Sequence, residues 1–561
     1  MPPVFSREIE RPLVSSGPLK YQTRTSPCES VCPAGNPIQK VHGLVKEKRY
    51  EEALEYLRAR NPFPGTTGRI CTHPCETDCN RREWDEAINI RGLERAAADT
   101  ADGTRIRKPV RMSRSGRKIA VVGGGPAGLT FAYFSSLLGH EVTIFEAGPT
   151  LGGIPRLCVP EYRLPKEILD REISLVLETG VKARTNTRIG REISFAEVRA
   201  SHDAVLIATG TWKERKPDLP HADMAVKGVE FLRSVNLGFV RESGRKVVIL
   251  GGGGVAFDCA FTAGRLGARE VHIVCMEGAD CMAAPSDDLA QARQEGIMIH
   301  NGCMASRVLE KEGKVAGVEY REIAGFCFDE TGEACVKEAG GQNRVLAADQ
   351  VILAAGVKPD LDFIAGEGIA LNPNGTVKVD TLTRETSLSG VFAAGDAATG
   401  PSIVAGAIGQ GRAAALAVHR FLMDAASETE ETLTIGEDSQ IRFGASARQG
   451  QPHVVHFEEM FNPEYYPKRP RQEGLRSMQI SFAEKNAGLE GSAATEAERC
   501  LHCGHCHKCG KCVEDCPGLI LVMTERGPEI RYADECWHCG NCRTSCPNSA
   551  VSYLFPLYTL V

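Results

Sequence analysis

The stretch Lys118–Glu146 begins KIAVVGGGPAGL and ends VTIFE. It predicts a strand, a glycine-rich turn and a helical run that ends at Leu138. The turn has the spacing G-x-G-x-x-G, and its residues are Gly123, Gly125, Pro126, Ala127 and Gly128. These glycines let the backbone turn tightly and approach a pyrophosphate, whose charge is met by the free N–H groups of the helix. Glu146 ends the next strand, where its carboxylate can accept the ribose hydroxyls, so the stretch predicts a complete dinucleotide-binding unit.

A second unit of the same kind begins at Lys246 with the strand KVVIL and continues as a helix to Leu266. Its turn has the spacing G-x-G-x-x-A, and its residues are Gly251, Gly253, Gly254, Val255 and Ala256. Alanine is tolerated at the third position because that position governs only the packing of helix on strand. The chain therefore predicts two nucleotide sites with different occupants.

The next strand of the second unit ends near Glu277, where a carboxylate would accept the 2′-hydroxyl of NAD and repel a 2′-phosphate. We therefore expect NAD(H) in preference to NADP(H). In the alternative interpretation, Glu277 points to solvent and a basic residue such as Arg293 meets a phosphate.

Length and composition bound the remaining possibilities. A chain of 561 residues is too long for one core, and its net charge of −6 argues against a nucleic-acid surface. No apolar run is long enough to span a bilayer, and the first residues lack the features of a signal peptide, so a cytoplasmic protein is expected. Most of the 22 cysteines crowd into two terminal regions at close spacing, which in a reducing compartment indicates metal ligation.

The carboxy-terminal cysteines form two runs of the bacterial ferredoxin type C-x-x-C-x-x-C-x-x-x-C-P. The fourth cysteine of each run crosses to the other 4Fe-4S cluster. The first predicted ligand set is Cys506, Cys509, Cys512 and Cys546, and the second is Cys516, Cys536, Cys539 and Cys542. Cys500 and Cys503 precede these runs, with histidines interleaved. We interpret them as a tight turn against the first cluster; a further metal site is the alternative.

A second cysteine group lies near the amino terminus, as C-x-x-x-C-P and C-x-x-x-C-x-x-x-C. Its members are Cys28, Cys32, Cys71, Cys75 and Cys79. Soft thiolates on short turns suit a 4Fe-4S cluster held by four of them, with zinc as the competing occupant.

This arrangement resembles the amino-terminal domain of the glutamate synthase small subunit and its flavoprotein relatives, which include dihydropyrimidine dehydrogenase and bifurcating transhydrogenases. Those relatives hold two clusters by using a preceding C-x-x-C pair that this sequence lacks. One cluster is therefore expected here, with Cys32, Cys71 and Cys75 as ligands and either Cys28 or Cys79 as the fourth.

The same resemblance raises a question about Glu94. In dihydropyrimidine dehydrogenase a glutamine follows a similar I-N-I-x-G-L run, and in this chain Glu94 follows Ile88–Leu93. We interpret Glu94 as an ordinary acid on a helix surface. A role as a cluster ligand is the alternative.

The resemblance also implies a set of FAD contacts beyond the first turn. It places Gly153 and the run around Arg163 and Leu164 along the isoalloxazine. It returns the chain to the flavin at the turn Ala208, Thr209 and Gly210. In the loop of Gly395 and Asp396, the aspartate would hydrogen-bond the ribityl chain. Because these pieces flank the second unit, a discontinuous FAD domain is expected. NADPH-using members carry an Arg-Arg pair where this chain has Cys275 and Met276.

A disulfide reductase shares the plan of two nucleotide units and is excluded by its cysteine requirement. That chemistry needs a closely spaced cysteine pair beside the flavin. No two cysteines between positions 150 and 345 form C-x-x-C, and Cys158 alone lies within the flavin-flanking run.

The predicted fold class is multidomain α/β, with a helical Fe-S domain, two Rossmann-like domains and an α+β ferredoxin domain. The expected boundaries are 1–110 for the Fe-S domain, 111–245 and 346–430 for the FAD domain, 246–345 for the NAD(P) domain, 431–499 for a connector and 500–561 for the ferredoxin domain.

Together the motifs predict that NADH delivers a hydride to FAD and that 4Fe-4S clusters pass single electrons onward, or the reverse. No substrate centre is recognisable, so the chain is expected to be the nucleotide-facing subunit of a larger complex. Its partner would be a 2-oxoacid, aldehyde or formate oxidoreductase, a hydrogenase, or a glutamate synthase large subunit. The alternatives are a standalone NAD(P)H:ferredoxin oxidoreductase and a non-enzymatic Fe-S scaffold or sensor.

Overall fold

The computed structural model describes residues 24–424 and 452–551, apart from 104, 107–108, 216, 332–333, 475–479, 485–486, 490, 526 and 533–534. It also places the backbone of an antiparallel hairpin, Glu431–Ile435 with Ser439–Phe443. The outer ends of the predicted first and last domains, 1–23 and 552–561, and part of the predicted connector lie outside the described residues.

The amino-terminal domain is a group of short helices, and its cysteines lie in or beside them. Proline opens three helices, where its missing N–H is not needed. The helices are Pro27–Val31, Ile38–Lys46, Tyr50–Arg58, Pro64–Ile70, Pro74–Thr77 and Ile90–Thr100, with a 3-10 turn at Asn80–Glu83. The chain turns between helices Ile38–Lys46 and Tyr50–Arg58 at Lys48, whose φ is 59°.

The first nucleotide unit is a five-stranded parallel sheet. Its strands, in spatial order, are Val391–Ala393, Ala204–Ile207, Lys118–Val122, Glu141–Phe145 and Lys182–Arg184. Its helices are Pro126–Leu137, Gly153–Leu157, Lys166–Glu178, Phe195–Ser201, Asp396–Thr399 and Val404–Met423. One edge strand therefore comes from far downstream of the others, as expected for a discontinuous domain.

Helix Pro126–Leu137 is buried on nearly every face, between this sheet and helix Val404–Met423. The second of these helices also meets the amino-terminal domain. A Cβ at Gly409 would collide with the carbonyl oxygen of Pro33, so the absence of a side chain allows this close approach.

The second nucleotide unit is another five-stranded parallel sheet. Its strands, in spatial order, are Met298–His300, Glu270–Val274, Lys246–Leu250, Gln350–Leu353 and Val226–Lys227. Its helices are Gly228–Asn236, Gly254–Arg265 and Ser286–Gln294. The sheet extends beyond the predicted range 246–345 on both sides, because parallel strands from distant segments complete it.

Smaller elements surround the two sheets. An antiparallel layer contains Cys303–Lys311, Lys314–Phe328, Ala334–Glu338 and Arg344–Ala347. Strand Lys213–Glu214 pairs with Val357–Lys358, and 3-10 turns occur at Ala222–Met224 and Asp362–Ile364.

The carboxy-terminal part returns to the amino-terminal domain. Strand Arg24–Thr25 pairs in parallel with His453–Val454. The 3-10 turns Phe457–Glu459 and Pro463–Tyr465 follow, then helices Ala493–Ala497, Lys511–Glu514 and Asn541–Thr544, with the hairpin Leu521–Thr524 and Gly527–Ile530. These elements confirm the predicted fold class. Within the described ranges, no helix has both the length and the apolar character needed to cross a membrane.

Candidate functional site: two nucleotide loops and the cysteine clusters

The first glycine turn has the geometry of a phosphate-binding loop. Gly123 has a φ of 107°, and a Cβ there would collide with the carbonyl oxygen of Ala208. A Cβ at Gly128 would collide with the carbonyl oxygen of Gly123, so the absence of a side chain allows the helix to pack closely on the strand. Gly125 precedes Pro126 at the helix start, so the free N–H groups of the first turn face outward. The loop therefore fits the pyrophosphate of a dinucleotide.

Glu146 is held beside this loop by two backbone donors. The N–H of Gly124 donates to one carboxylate oxygen at 2.8 Å, and the N–H of Gly148 donates to the other at 2.7 Å. Each oxygen keeps a free lone pair, so the carboxylate can also accept ribose hydroxyls.

The downstream aspartate loop closes the same side of the site. Gly395 has a φ of 69°, and Asp396 begins the short helix that follows. Burial raises the pKa of Asp396, and the hydroxyl of Ser402 donates to its carboxylate at 2.9 Å. Opposite, Thr209 has a buried Oγ1 with no hydrogen-bond partner among the described residues. Such a polar atom fits a site whose partner is a bound cofactor.

One cleft of about 610 Å³ joins the two nucleotide units. From the first unit it is lined by Gly123, Gly125, Pro126, Ala127, Glu146, Gly153, Arg163, Ala208, Thr209, Gly210, Gly395 and Asp396. From the second unit it is lined by Gly253, Gly254 and Val255, and from the amino-terminal domain by Cys71 and Thr72. Leu164 is instead buried in the core of the first unit.

The second glycine turn repeats the geometry of the first. Gly251 has a φ of 134°, and a Cβ there would collide with the carbonyl oxygen of Ala354. Ala256 is fully buried, in accordance with a packing role for the third position. The carboxylate of Glu277 lies over Gly252, where an added Cβ would collide with it. Glu277 thus has the position in the second unit that Glu146 has in the first.

Arg163 ties the flavin-side segment to the second unit. Its guanidinium lies 2.5 Å from Asp258 and 2.8 Å from Asp288, which belong to two helices of the second unit. Burial alone would lower the pKa of Arg163, but these two carboxylates raise it well above its ordinary value. The resemblance implied a flavin contact for this residue, and the structure adds a buried ionic link between the units.

A cavity in the amino-terminal domain collects Cys32, Cys71, Cys75 and Glu94. Cys71 lines both this cavity and the nucleotide cleft. Cys28 and Cys79 do not line this cavity, whereas Glu94 does.

Glu94 is an internal acid, and its interpretation as a helix-surface acid is wrong. The side chains of Asn36, Asn61 and Thr67 all donate to its Oε1, at 3.1, 3.0 and 2.5 Å. Burial raises the pKa of Glu94 to about 7. Because all three donors meet the same oxygen, Oε2 is left to face the cysteines.

The two ligand sets of the ferredoxin runs stay a prediction. Cys516, Cys536, Cys539 and Cys542 line one cavity, and Cys512, which the prediction assigns to the other set, lines it as well. Around Cys512, burial and the thiols of Cys546, Cys506 and Cys509 raise its pKa to about 12. Among the described residues, no three His, Cys, Asp or Glu side chains are grouped as ligands of a single metal ion.

Cys158 has no redox partner in this site. It is 4% exposed, its thiol donates to the carbonyl of Val229, and burial raises its pKa to about 12. A thiol with a raised pKa is a poor nucleophile. The sequence-based exclusion of a disulfide reductase mechanism therefore agrees with the structure.

The fold and these sites define a two-dinucleotide flavoprotein oxidoreductase with iron–sulfur domains on both sides. Residues 117–411 match the family model described as pyridine nucleotide-disulphide oxidoreductase, and the chain belongs to this family. Residues 21–106 match dihydropyrimidine dehydrogenase domain II, 4Fe-4S cluster, and residues 505–551 match a 4Fe-4S dicluster domain. The first of these two matches favours iron–sulfur over zinc in the amino-terminal domain.

Three relatives are similar to most of the chain. The chain is 34% identical to NADP(+)-dependent formate dehydrogenase subunit beta of Moorella thermoacetica, over 85% of this chain and 70% of that protein. It is 32% identical to NADPH-Fe(3+) oxidoreductase subunit beta of Geobacter sulfurreducens, over 85% and 75%. It is 33% identical to the glutamate synthase [NADPH] small chain of Azospirillum brasilense, over 70% and 86%. The predicted family resemblance is confirmed, and the chain is an FAD-dependent NAD(P)H oxidoreductase with 4Fe-4S domains.

Proposed function

We propose that this protein is the electron-transfer subunit of a larger complex, exchanging hydride with NAD(H) at FAD and passing single electrons to or from a partner oxidoreductase subunit. One observation carries the proposal. The cleft that contains both glycine loops is also lined by Cys71, which faces the cavity of Cys32, Cys75 and Glu94 on its other side. A nucleotide site and a cluster site thus share a wall.

The chemistry is supplied by the cofactors when they are bound: FAD accepts two electrons as a hydride and releases them one at a time to 4Fe-4S clusters. The protein positions these groups. The loop at Gly123–Gly128 and the carboxylate of Glu146 would hold the FAD pyrophosphate and ribose. Asp396 and Thr209 would bond the flavin side, and the loop at Gly251–Ala256 would present the nicotinamide nucleotide across the cleft.

For the amino-terminal cluster we propose Cys32, Cys71, Cys75 and the Oε2 oxygen of Glu94 as ligands. The support is that these four side chains line one cavity and that the three donors to Glu94 orient its free oxygen. The eight ferredoxin cysteines would hold two further clusters in the crossed pattern predicted from their spacing.

For the nucleotide we propose NADH, although the three relatives named above are described as NADP- or NADPH-dependent. The support lies in Glu277, whose carboxylate occupies the place that would meet the 2′ position of the ribose. A 2′-phosphate there would face a negative charge.

The partner subunit is proposed to dock near the Fe-S domains. Beside the ferredoxin cavity, Trp537 and Leu519 are 68% and 77% exposed, and Trp537 is part of the cavity lining. Exposed apolar side chains next to a redox site are suited to a protein partner. The candidates are a 2-oxoacid, aldehyde or formate oxidoreductase, a hydrogenase, or a glutamate synthase large subunit.

Anoxic mixing with NADH or NADPH tests the proposal. We expect rapid flavin bleaching, faster with NADH, followed by reduction of the clusters seen as loss of visible absorbance. Absence of any spectral change with both nucleotides would support the scaffold alternative. Purification as a free monomer that is fully active with added ferredoxin would support the standalone reductase.

A further inference from the structure

Four cysteines from opposite ends of the chain meet where the carboxy-terminal segment packs on the amino-terminal helices. They are Cys28, Cys79, Cys500 and Cys503. Cys28 and Cys500 are each 5% exposed and belong to one hydrophobic cluster, against which Cys79 packs. Cys503 is equally buried, in a neighbouring cluster with Met460. None of the four lines the cavity of Cys32, Cys71 and Cys75.

Side-chain contacts bring these sulfurs to one place. The amide of Gln39 spans two of them, since its Nε2 lies 3.7 Å from the sulfur of Cys28 and its Oε1 lies 3.4 Å from that of Cys500. Cys79 is the common neighbour, because its thiol acts together with burial to raise the pKa values of Cys28, Cys500 and Cys503. Four buried thiols therefore lie close together.

The segment that carries Cys500 and Cys503 is fastened in place by buried charges. The guanidinium of Arg499 bonds Asp85 at 3.0 Å and Glu496 at 2.7 Å. Arg81 bonds the same aspartate and also donates to the carbonyl oxygen of Arg499 at 2.8 Å. Both arginines are 1% exposed. The backbone on each side of the four cysteines is thus rigidly positioned, as a metal centre requires.

We propose that Cys28, Cys79, Cys500 and Cys503 bind an additional 4Fe-4S cluster, which joins the amino-terminal domain to the carboxy-terminal segment. Four soft thiolates with no carboxylate among them are the usual ligands of such a cluster. A single zinc ion is less suited, because four thiolates at about 2.3 Å from one ion would lie within about 4 Å of each other. Among the described residues, no such single-ion grouping is present.

The helices of the amino-terminal domain supply both of its cysteine groups. Cys28 lies in helix Pro27–Val31 and Cys32 directly follows it. Cys75 lies in helix Pro74–Thr77 and Cys79 follows that helix. The pairs Cys28/Cys32 and Cys75/Cys79 therefore each give one cysteine to each group, so the two sites are neighbours.

On its other side the proposed site approaches the ferredoxin module. Tyr466 is 6% exposed, and burial together with the thiols of Cys500, Cys503 and Cys509 raises its pKa. Tyr466 lies in one hydrophobic cluster with Cys503, and its ring centroid is 6.1 Å from that of His507 in the first ferredoxin run. At this position the site would act as a one-electron relay between the Cys71 group and the ferredoxin module. This role rests on the proposed function, in which the electrons come from NAD(P)H through FAD.

The test uses the full-length protein, purified without oxygen, and the double variant Cys500→Ser, Cys503→Ser. The wild type is expected to contain about sixteen irons per chain, and the variant about twelve. The variant should also lack one signal in the electron paramagnetic resonance spectrum after dithionite reduction. As a matched control, Cys303→Ser replaces a cysteine that is also 5% exposed, in the second unit, and should retain all irons.

Iron content and flavin reduction separate this inference from the proposed function. We expect the double variant to keep FAD and to be bleached by NADH at the wild-type rate, with at least tenfold slower reduction of the ferredoxin clusters. About twelve irons in the wild type, an unchanged spectrum in the variant, or one zinc per chain lost on substitution would each overturn the cluster. If the double variant does not fold, the iron content of the wild type and of Cys28→Ser is compared instead, with the same expected loss of about four irons.

Discussion

Single acidic residues determine the chemistry of each site, and they differ in how far the sequence alone identifies them. Glu146 and Glu277 end equivalent strands, and each carboxylate lies beside the second glycine of its turn. A local motif was sufficient to find both. For Glu94, the run Ile88–Leu93 only raised a ligand role as an alternative, and its place beside three cysteines in one cavity distinguishes it from a surface acid.

At Glu277, the change Glu277→Arg is expected to reverse the nucleotide preference. Removing the carboxylate removes repulsion of a 2′-phosphate, and the guanidinium can pair with it. The ratio of kcat/KM for NADPH over that for NADH should rise by about tenfold or more, equivalent to about 1.4 kcal/mol. Glu330→Arg, on an exposed turn of the antiparallel layer, is the control and should leave the ratio unchanged. An unchanged ratio in Glu277→Arg would show that the 2′ position lies elsewhere.

At Glu94, the substitutions to Ala and Gln should differ. Glu94→Ala removes the ligand oxygen and is expected to lose about four irons. Glu94→Gln keeps an oxygen without its negative charge, so the cluster should remain and be reduced at a higher potential. Iron analysis and a redox titration followed by paramagnetic resonance measure both effects. Glu55→Gln, another buried acid of this domain, serves as the control; iron retention in Glu94→Ala would exclude the ligand role.

At the scale of elements, short helices and turns organise the iron–sulfur sites. Each is too short to be stable alone and depends on tertiary contacts. For the segment at Ala493–Cys503, those contacts are the ion pairs and hydrogen bonds of Arg81, Asp85, Glu496 and Arg499. The attachment of the ferredoxin module to the amino-terminal domain therefore depends on charge as well as on apolar packing.

Asp85→Asn should loosen this attachment. Burial raises the pKa of Asp85, but hydrogen bonds from Arg81 and from backbone N–H groups outweigh it and hold the pKa below the ordinary value of 3.8. Asp85 thus contributes stability above that pH, and the contribution is lost as the pH falls below about 4. The variant should cost about 1–3 kcal/mol of local stability.

Hydrogen exchange of residues 493–503, corrected for the intrinsic effect of pH, measures this prediction. At neutral pH, the exchange rate should be about tenfold higher in Asp85→Asn than in the wild type. In the wild type, the exchange rate should rise only on acidification. Asp102→Asn removes an ion pair whose arginine side chain is 75% exposed and should change nothing. Equal protection in Asp85→Asn and wild type would show that apolar packing alone holds the segment.

At the scale of the whole molecule, the central cleft exists because two discontinuous units face each other. The first sheet takes its edge strand from residues 391–393, and the second takes strands from both sides of the predicted range 246–345. Arg163 with Asp258 and Asp288 links the two units through buried charges. This link should govern how firmly the cleft holds its cofactor.

Arg163→Met is expected to weaken that hold. It leaves two buried carboxylates without their cation, at a cost of about 3–5 kcal/mol. Thermal release of FAD, followed by flavin fluorescence, should occur at a lower temperature. Adding Asp258→Asn and Asp288→Asn should restore part of the loss, whereas Arg188→Gln, from an exposed pair with Asp360, should have little effect. An unchanged release temperature in Arg163→Met would contradict the role of this link.

The sequence alone was sufficient for the two nucleotide units, the discontinuous first sheet and the presence of a ferredoxin domain. In each case the informative residues follow one another within a short run. A local spacing then reports directly on local geometry, because strand, turn and helix are neighbours in the chain as well as in space.

Tertiary structure decided the burial of Glu94, the position of Arg163 between the units, and the meeting of Cys28 and Cys79 with Cys500 and Cys503. The contact of His42 with Cys500 joins residues 458 positions apart. Spacing along the chain does not report which distant segments will pack together, because that choice is made by the burial of apolar surface and the pairing of buried charges in the folded molecule.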